Sequence, residues 1–123
     1  MERNIVGWFE IYVDDMARAK GFYETVFDLQ LEELPMPDTE MWAFPMLQDA
    51  PGATGALVKM DCVAAGANST QVYFSCDDCA IEQQRVAANG GEVTREKFSI
   101  GEYGFIALVK DSEGNMIGLH SMA

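Results

Sequence analysis

Histidine is almost missing from this chain: His120 is the only one among 123 residues. With a single imidazole and no supporting motif, no Ser-His-Asp or Cys-His nucleophilic set can be assembled, and a Cys/His zinc cluster has no partners. Cysteine is scarce and odd in number, Cys62, Cys76 and Cys79, which suits a reducing compartment and not a disulfide-stapled domain. Cations are few, eight Lys and Arg against twenty Asp and Glu, for a net charge of −12. Nucleic acid phosphates would be repelled, so no nucleic acid partner is expected. No apolar run approaches the roughly 20 residues of a membrane span. Met1-Glu2-Arg3-Asn4 leads straight into a strand instead of a signal peptide, so a cytoplasmic protein without a membrane partner is expected. Gly101-Glu102-Tyr103-Gly104 is a lone glycine pair, not a phosphate loop.

What the chain does contain is a weak internal repeat at an offset of 63 residues. Phe9-Glu10-Ile11-Tyr12-Val13-Asp14-Asp15 falls on Val72-Tyr73-Phe74-Ser75-Cys76-Asp77-Asp78, and Gly55 falls on Gly118. Each half opens with a strand, meets an acidic turn and enters a helix. Asp14 or Asp15 can cap a helix over Met16 to Phe27, and Asp77 or Asp78 one over about Ala80 to Asn89, stopped by Asn89-Gly90-Gly91. Three strand-like runs follow each helix: Leu29 to Leu34, Met41 to Met46 and Thr54 to Met60, then Glu92 to Phe98, Gly104 to Lys110 and Met116 to Ser121. The pattern is βαβββ twice, within one domain of residues 1–123 whose modules run from about 5 to 60 and about 68 to 122.

Strand alternation sorts the side chains into two faces. Phe9, Ile11, Val13, Val72, Phe74 and Cys76, with Ala56, Val58, Met60, Ile117 and Leu119 in the closing strands, form an apolar face expected beneath the helices. The opposite parity carries Trp8, Glu10, Tyr12, Gln71, Tyr73, Ser75, Gly55, Leu57, Lys59, Met116, Gly118 and His120. That mixture of aromatic, polar and small groups reads as a cavity lining. Glu10 stands out, because a carboxylate on a closed core face is costly and should meet water or a ligand.

The helix entry Val13-Asp14-Asp15-Met16-Ala17-Arg18-Ala19-Lys20-Gly21-Phe22-Tyr23-Glu24-Thr25-Val26-Phe27 and the hairpin Asp111-Ser112-Glu113-Gly114-Asn115-Met116-Ile117-Gly118-Leu119 complete a pattern that resembles the vicinal oxygen chelate superfamily of glyoxalase I, extradiol dioxygenases and bleomycin-resistance proteins. The resemblance covers about Ile5 to Ser121. It implies an α+β fold in which two βαβββ modules form a cupped, incompletely closed mixed sheet with helices outside, and it implies a homodimer. It also implies four metal-ligand positions, which fall on Trp8, Gly55 (or Ala56 with a one-residue slip), Gln71 and Gly118. Three of these have no side-chain lone pair, so the expectation is no metal and no cofactor. The alternative donor set is Glu10, Gln71 and His120.

Cys76-Asp77-Asp78-Cys79 has redox or zinc spacing, but Cys76 falls on the apolar parity and the aspartates disfavour a thiolate. His120 has a structural reading beside a catalytic one, and Lys59 reads as solvent-facing. The candidate site is therefore Glu10 and His120 as catalytic residues, with Trp8, Tyr12, Gln71, Tyr73 and Ser75 binding a ligand. Three function classes stay open. One is a metal-independent binder of a small molecule, another a lyase, isomerase or dioxygenase relative using Glu10 as general base, and the third a non-catalytic regulatory domain.

Overall fold

The computed structural model describes residues 3–66 and 69–123. Met1 and Glu2, read above as leading into a strand, and residue 68, the expected start of the second module, lie outside them. The element order is β1 (Val6–Tyr12), α1 (Met16–Phe27), β2 (Glu32–Glu33), β3 (Glu40–Ala43), β4 (Thr54–Lys59), β5 (Thr70–Ser75), α2 (Cys79–Val86), β6 (Glu92–Ser99), β7 (Phe105–Lys110) and β8 (Met116–Ser121). This α+β chain carries βαβββ twice, as the repeat predicts. In both halves the second of the paired aspartates caps the helix. Asp15 accepts the Arg18 amide at 3.1 Å and Asp78 the Ala80 amide at 3.0 Å, satisfying donors a helix start leaves open. The first of each pair ties down a loop or the chain start: Asp14 accepts the Ala65 amide, and Asp77 pairs with Arg3. α1 ends at Asp28 in the left-handed region, and α2 runs into a 3-10 turn, Ala87–Asn89, closed by Gly90 at φ 89°.

The chain divides into two compact units, Trp8–Gln71 and residues 1–7 with 72–123. In the unit Trp8–Gln71, β1 pairs in parallel with β4, β4 antiparallel with β3, and β3 antiparallel with β2. β2 is only two residues long, a shorter strand than the run Leu29 to Leu34 suggested. One face of this sheet packs Val13 and Leu57 with Met16 of α1 and Leu31, with Ile11, Ala19, Tyr23 and Phe44 around them. The other face packs Met41, Ala56 and Val58 with Trp8 and Tyr12.

Here the predicted alternation of β4 is reversed. Leu57, expected on the cavity parity with Gly55, lies under α1, while Ala56 and Val58, expected under the helix, share the face of Trp8, Glu10 and Tyr12. The cause is register: β1 pairs Phe9 with Gly55, Glu10 with Ala56 and Ile11 with Leu57, and a slip of one residue moves every side chain to the opposite face. Gly55 belongs to the Phe9 side because a Cβ there would meet the Phe9 ring at 2.7 Å. Met60, also assigned to the apolar face, is exposed.

In the other unit β5 pairs in parallel with β8, β8 antiparallel with β7, and β7 antiparallel with β6. Strand order thus repeats that of the first unit. Here the alternation holds as read: Cys79 of α2 packs on Ala107, Val109 and Leu119, with Phe74, Cys76, Val86 and Ile117 around them. Tyr73 stands opposite Gly118, and Ser75 opposite His120. A Cβ on Gly118 would overlap the Tyr73 ring, so glycine at 118 is a packing requirement of the tyrosine. Gly118→Ala is expected to cost about 1–3 kcal/mol of stability, the usual range for an added methyl in a filled site. Urea denaturation of the two proteins measures this, and a difference within error of zero would remove the packing argument.

Candidate functional site

Glu10 lies in the middle of β1 on the face away from α1, and only 8% of it is exposed. Both carboxylate oxygens accept hydrogen bonds from neighbours on the same strand. The Trp8 indole N–H donates to Oε2 at 3.2 Å, and the Tyr12 hydroxyl donates to Oε1 at 2.9 Å. This follows from the strand itself, since residues two apart project from one face and the two aromatic side chains carry donors at their polar ends. Burial pushes the Tyr12 hydroxyl far above the usual tyrosine range, and the Glu10 charge and the hydrogen bond to it act in the same direction. Tyr12 is therefore a fixed donor to Glu10 at any physiological pH. Ala56, opposite Glu10, and the buried Val58 and Met41 supply the apolar surroundings.

Gln71 closes the same unit. The Tyr12 amide donates to the Ser69 carbonyl at 2.9 Å, and Gln71 follows two residues later on β5. Its Nε2 is shut off from solvent without a hydrogen-bond partner among the described residues. Of the predicted site residues, the structure thus brings Trp8, Glu10 and Tyr12 into direct contact and leaves in their unit one buried amide with a donor to offer.

Tyr73, Ser75 and His120 belong to the other unit. Tyr73 is buried against Gly118, and Ser75 lies beneath Gly7, where a Cβ would overlap its hydroxyl. His120 Nε2 is 2.6 Å from the Tyr103 carbonyl oxygen, which can only accept, so that nitrogen donates. The sequence offered no signal for this contact, because Tyr103 sits on a 3-10 turn, Gly101–Tyr103, ahead of β7.

The four positions that the resemblance assigns to metal ligands do not fit an ion. Trp8 spends its N–H on Glu10, Ala56 is the residue on the Glu10 face of β4, and Gly118 is covered by the Tyr73 ring. Among the described residues, no three His, Cys, Asp or Glu side chains gather into a ligand set.

The Cys76 thiol is raised to about 11, by burial first and then by the Glu82 carboxylate and Cys79. A thiol held neutral is a poor nucleophile and metal ligand. Between the ordinary value of 9.0 and the folded value of about 11 the unfolded chain binds fewer protons at this group than the folded one. Stability contributed by Cys76 is therefore full below the lower value and falls as pH rises through the upper. Alkylation near pH 8 is expected to modify the exposed Cys62 well before Cys76. Equal rates, read by mass spectrometry of the folded chain, would contradict the burial of Cys76.

Comparison with known proteins agrees with this architecture. Curated proteins named "Putative glyoxylase CFP32" from Mycobacterium bovis and Mycobacterium tuberculosis are each 24% identical over 113 residues, 91% of this chain. The chain spans 43% of the length of these relatives. Among solved structures, methylmalonyl-CoA epimerase from Mycobacterium tuberculosis superposes with a TM-score of 0.69 at 15% identity, covering 97% of this chain and 88% of that one. A variant of the Streptomyces coelicolor methylmalonyl-CoA epimerase, in complex with 2-nitronate-propionyl-CoA, gives 0.69 at 12% identity and covers 97% of each chain. At such identities the likeness is one of fold. Residues 5–119 match the family model described as the Glyoxalase/Bleomycin resistance protein/Dioxygenase superfamily, and the chain belongs to that superfamily.

Proposed function

We propose that this protein binds a small molecule without a metal ion, at a site built on Trp8, Glu10, Tyr12 and Gln71. The observation that carries the reading is the Gln71 amide nitrogen, buried and without a hydrogen-bond partner among the described residues. An unpaired buried donor costs about 1–3 kcal/mol, and a ligand oxygen would satisfy it. Nearby sit a buried carboxylate and two aromatic side chains, the mixture of apolar wall and few polar groups that pockets share. The donor-poor ligand positions favour binding without a metal. Tyr73, Ser75 and His120 are proposed as ligand contacts within their own unit, and a second copy of the chain as partner in a homodimer and the cytoplasm as compartment belong to the same reading. No helix among the described residues is long and apolar enough to cross a membrane.

A second reading is favoured by Glu10 itself. A buried carboxylate is a base of the kind that takes a proton from a carbon beside a carbonyl group, with Gln71 donating to the carbonyl oxygen. The neighbouring structures named as epimerases are in keeping with a proton transfer of that kind.

A thermal-shift screen of small carbonyl and carboxylate compounds, with turnover assayed for every hit, tests both. Hits are expected to stabilise the wild type and to lose most of the shift in Glu10→Ala and Gln71→Ala. Turnover lost in Glu10→Gln with binding retained would select the second reading. Ligands that stabilise all three proteins equally would remove these residues from the site. Elemental analysis is expected to find well under one divalent metal per chain, and about one per chain, lost in Gln71→Ala, would overturn the metal-free reading. Sedimentation equilibrium is expected to give the mass of two chains.

A further inference from the structure

The Glu10 carboxylate is buried, but the two aromatic residues that hydrogen-bond to it, Trp8 and Tyr12, are each partly exposed. Their polar edges turn toward it, the indole N–H to Oε2 and the phenol O–H to Oε1. Neither donor is charged, so these two bonds set a negative charge behind the rings without cancelling it. A ring face is already the negative side of an aromatic quadrupole, and donating the ring's polar hydrogen to an anion adds electron density to that face. The sheet beside them is apolar. Met41, Ala56 and Val58 form it, with Leu34 and Met36 packed against them, and none of these side chains carries a charge or an oxygen acceptor.

We propose that the ligand of the Glu10 site carries a methylated ammonium group, seated on the partly exposed rings of Trp8 and Tyr12; the assignment rests on the binding role given to that site above. A cation over such rings is attracted by their faces and by the carboxylate behind them, and it needs no contact with the buried oxygens. An anionic group in the same place would be repelled. Methylation follows from the walls. A primary ammonium would give up water for side chains that offer its N–H groups no oxygen, which is costly, whereas a trimethylammonium group has no N–H and turns methyls toward Met41 and Val58. The net charge of −12 raises the concentration of any cation around the chain. Trp42 supplies a contrast within the molecule, because Lys20 already lies over its ring, 3.2 Å from the centroid.

The indole N–H signals of Trp8 and Trp42 in the full chain, titrated separately with choline chloride, ethanolamine hydrochloride and dimethylbutanol, the uncharged isostere of choline, test the assignment. Choline is expected to shift the Trp8 signal saturably, with an affinity about tenfold above dimethylbutanol, the scale of a desolvated cation over an aromatic face. Ethanolamine is expected to bind no better than the alcohol. Glu10→Gln should bring the choline affinity down to that of the alcohol, and Trp8→Leu, followed by calorimetry, should abolish binding. Circular dichroism confirms that each variant is folded, and if one fails to fold the other carries the test. Shifts linear in concentration, choline matched by dimethylbutanol or by ethanolamine, an unchanged choline affinity in either folded variant, or a response confined to Trp42 would overturn the proposal. Carbonyl compounds from the thermal-shift screen that move the Trp8 signal where choline does not would overturn it too, while leaving the Glu10 site in place. Failure of the site itself would show as no compound of either kind moving Trp8.

Discussion

The parallel pairing of β1 with β4 holds Glu10 opposite Ala56, and the candidate site depends on that register. It directs Phe9, Ile11 and Leu57 toward the helix side and leaves Trp8, Glu10 and Tyr12 together on the face α1 does not cover. Strand pleating then does the rest. Side chains at 8, 10 and 12 project in one direction, and the indole and phenol donors close on the two carboxylate oxygens. Burying a carboxylate costs several kcal/mol unless its oxygens find donors, and here both do, within one strand. The arrangement is therefore local, and it is carried by the strand wherever the strand goes.

Much of this was legible before any coordinates. Paired aspartates announced both helix starts, and the repeat announced two βαβββ halves because each half must bury one sheet face beneath one helix. The alternation of β1, β5 and β8 was also readable, since aromatic and apolar residues there separate cleanly by parity. β4 was not. Gly55, Ala56, Leu57 and Val58 are all buried and small or apolar, so neither parity looks more like a core than the other. The misleading signal was the match of Gly55 with Gly118. In the strand pairing Gly118 stands opposite Tyr73, the counterpart of Glu10, whereas Glu10 stands opposite Ala56, so the two glycines are one residue out of structural equivalence.

Contacts made through backbone carbonyls were equally illegible. His120 has its Nε2 on the Tyr103 carbonyl, and no side-chain pattern encodes which carbonyl a 3-10 turn will present. Lys97 is a similar case. It pairs with Asp78 at 2.8 Å while also reaching the Ala123 carbonyl, and by hydrogen bonding it holds the Asp78 carboxyl below its usual range. In sequence it is an ordinary strand lysine. Residues whose roles come from strand periodicity can be read from composition along the chain, and residues whose roles come from loop geometry cannot.

The equivalence of Glu10 and Tyr73 explains why the family's metal-ligand positions in the closing strands hold small residues. Gly118 has no side chain because the Tyr73 ring occupies the volume where one would stand. Ala56, fully buried opposite Glu10, lies on a face already filled by Trp8, Tyr12, Val58 and Met41. A histidine or glutamate at either position would need room that these neighbours take. The small residues of the closing strands thus go with what stands on the adjacent strand, a carboxylate bracketed by aromatics in one half and a buried tyrosine in the other. A single ligand side chain placed there would not make an ion site, because the neighbouring side chains fill the space. In the proposed reading a ligand at Glu10 would meet hydrogen-bonding groups and aromatic surface on β1 and the buried amide of Gln71, with the closing strands serving as packing.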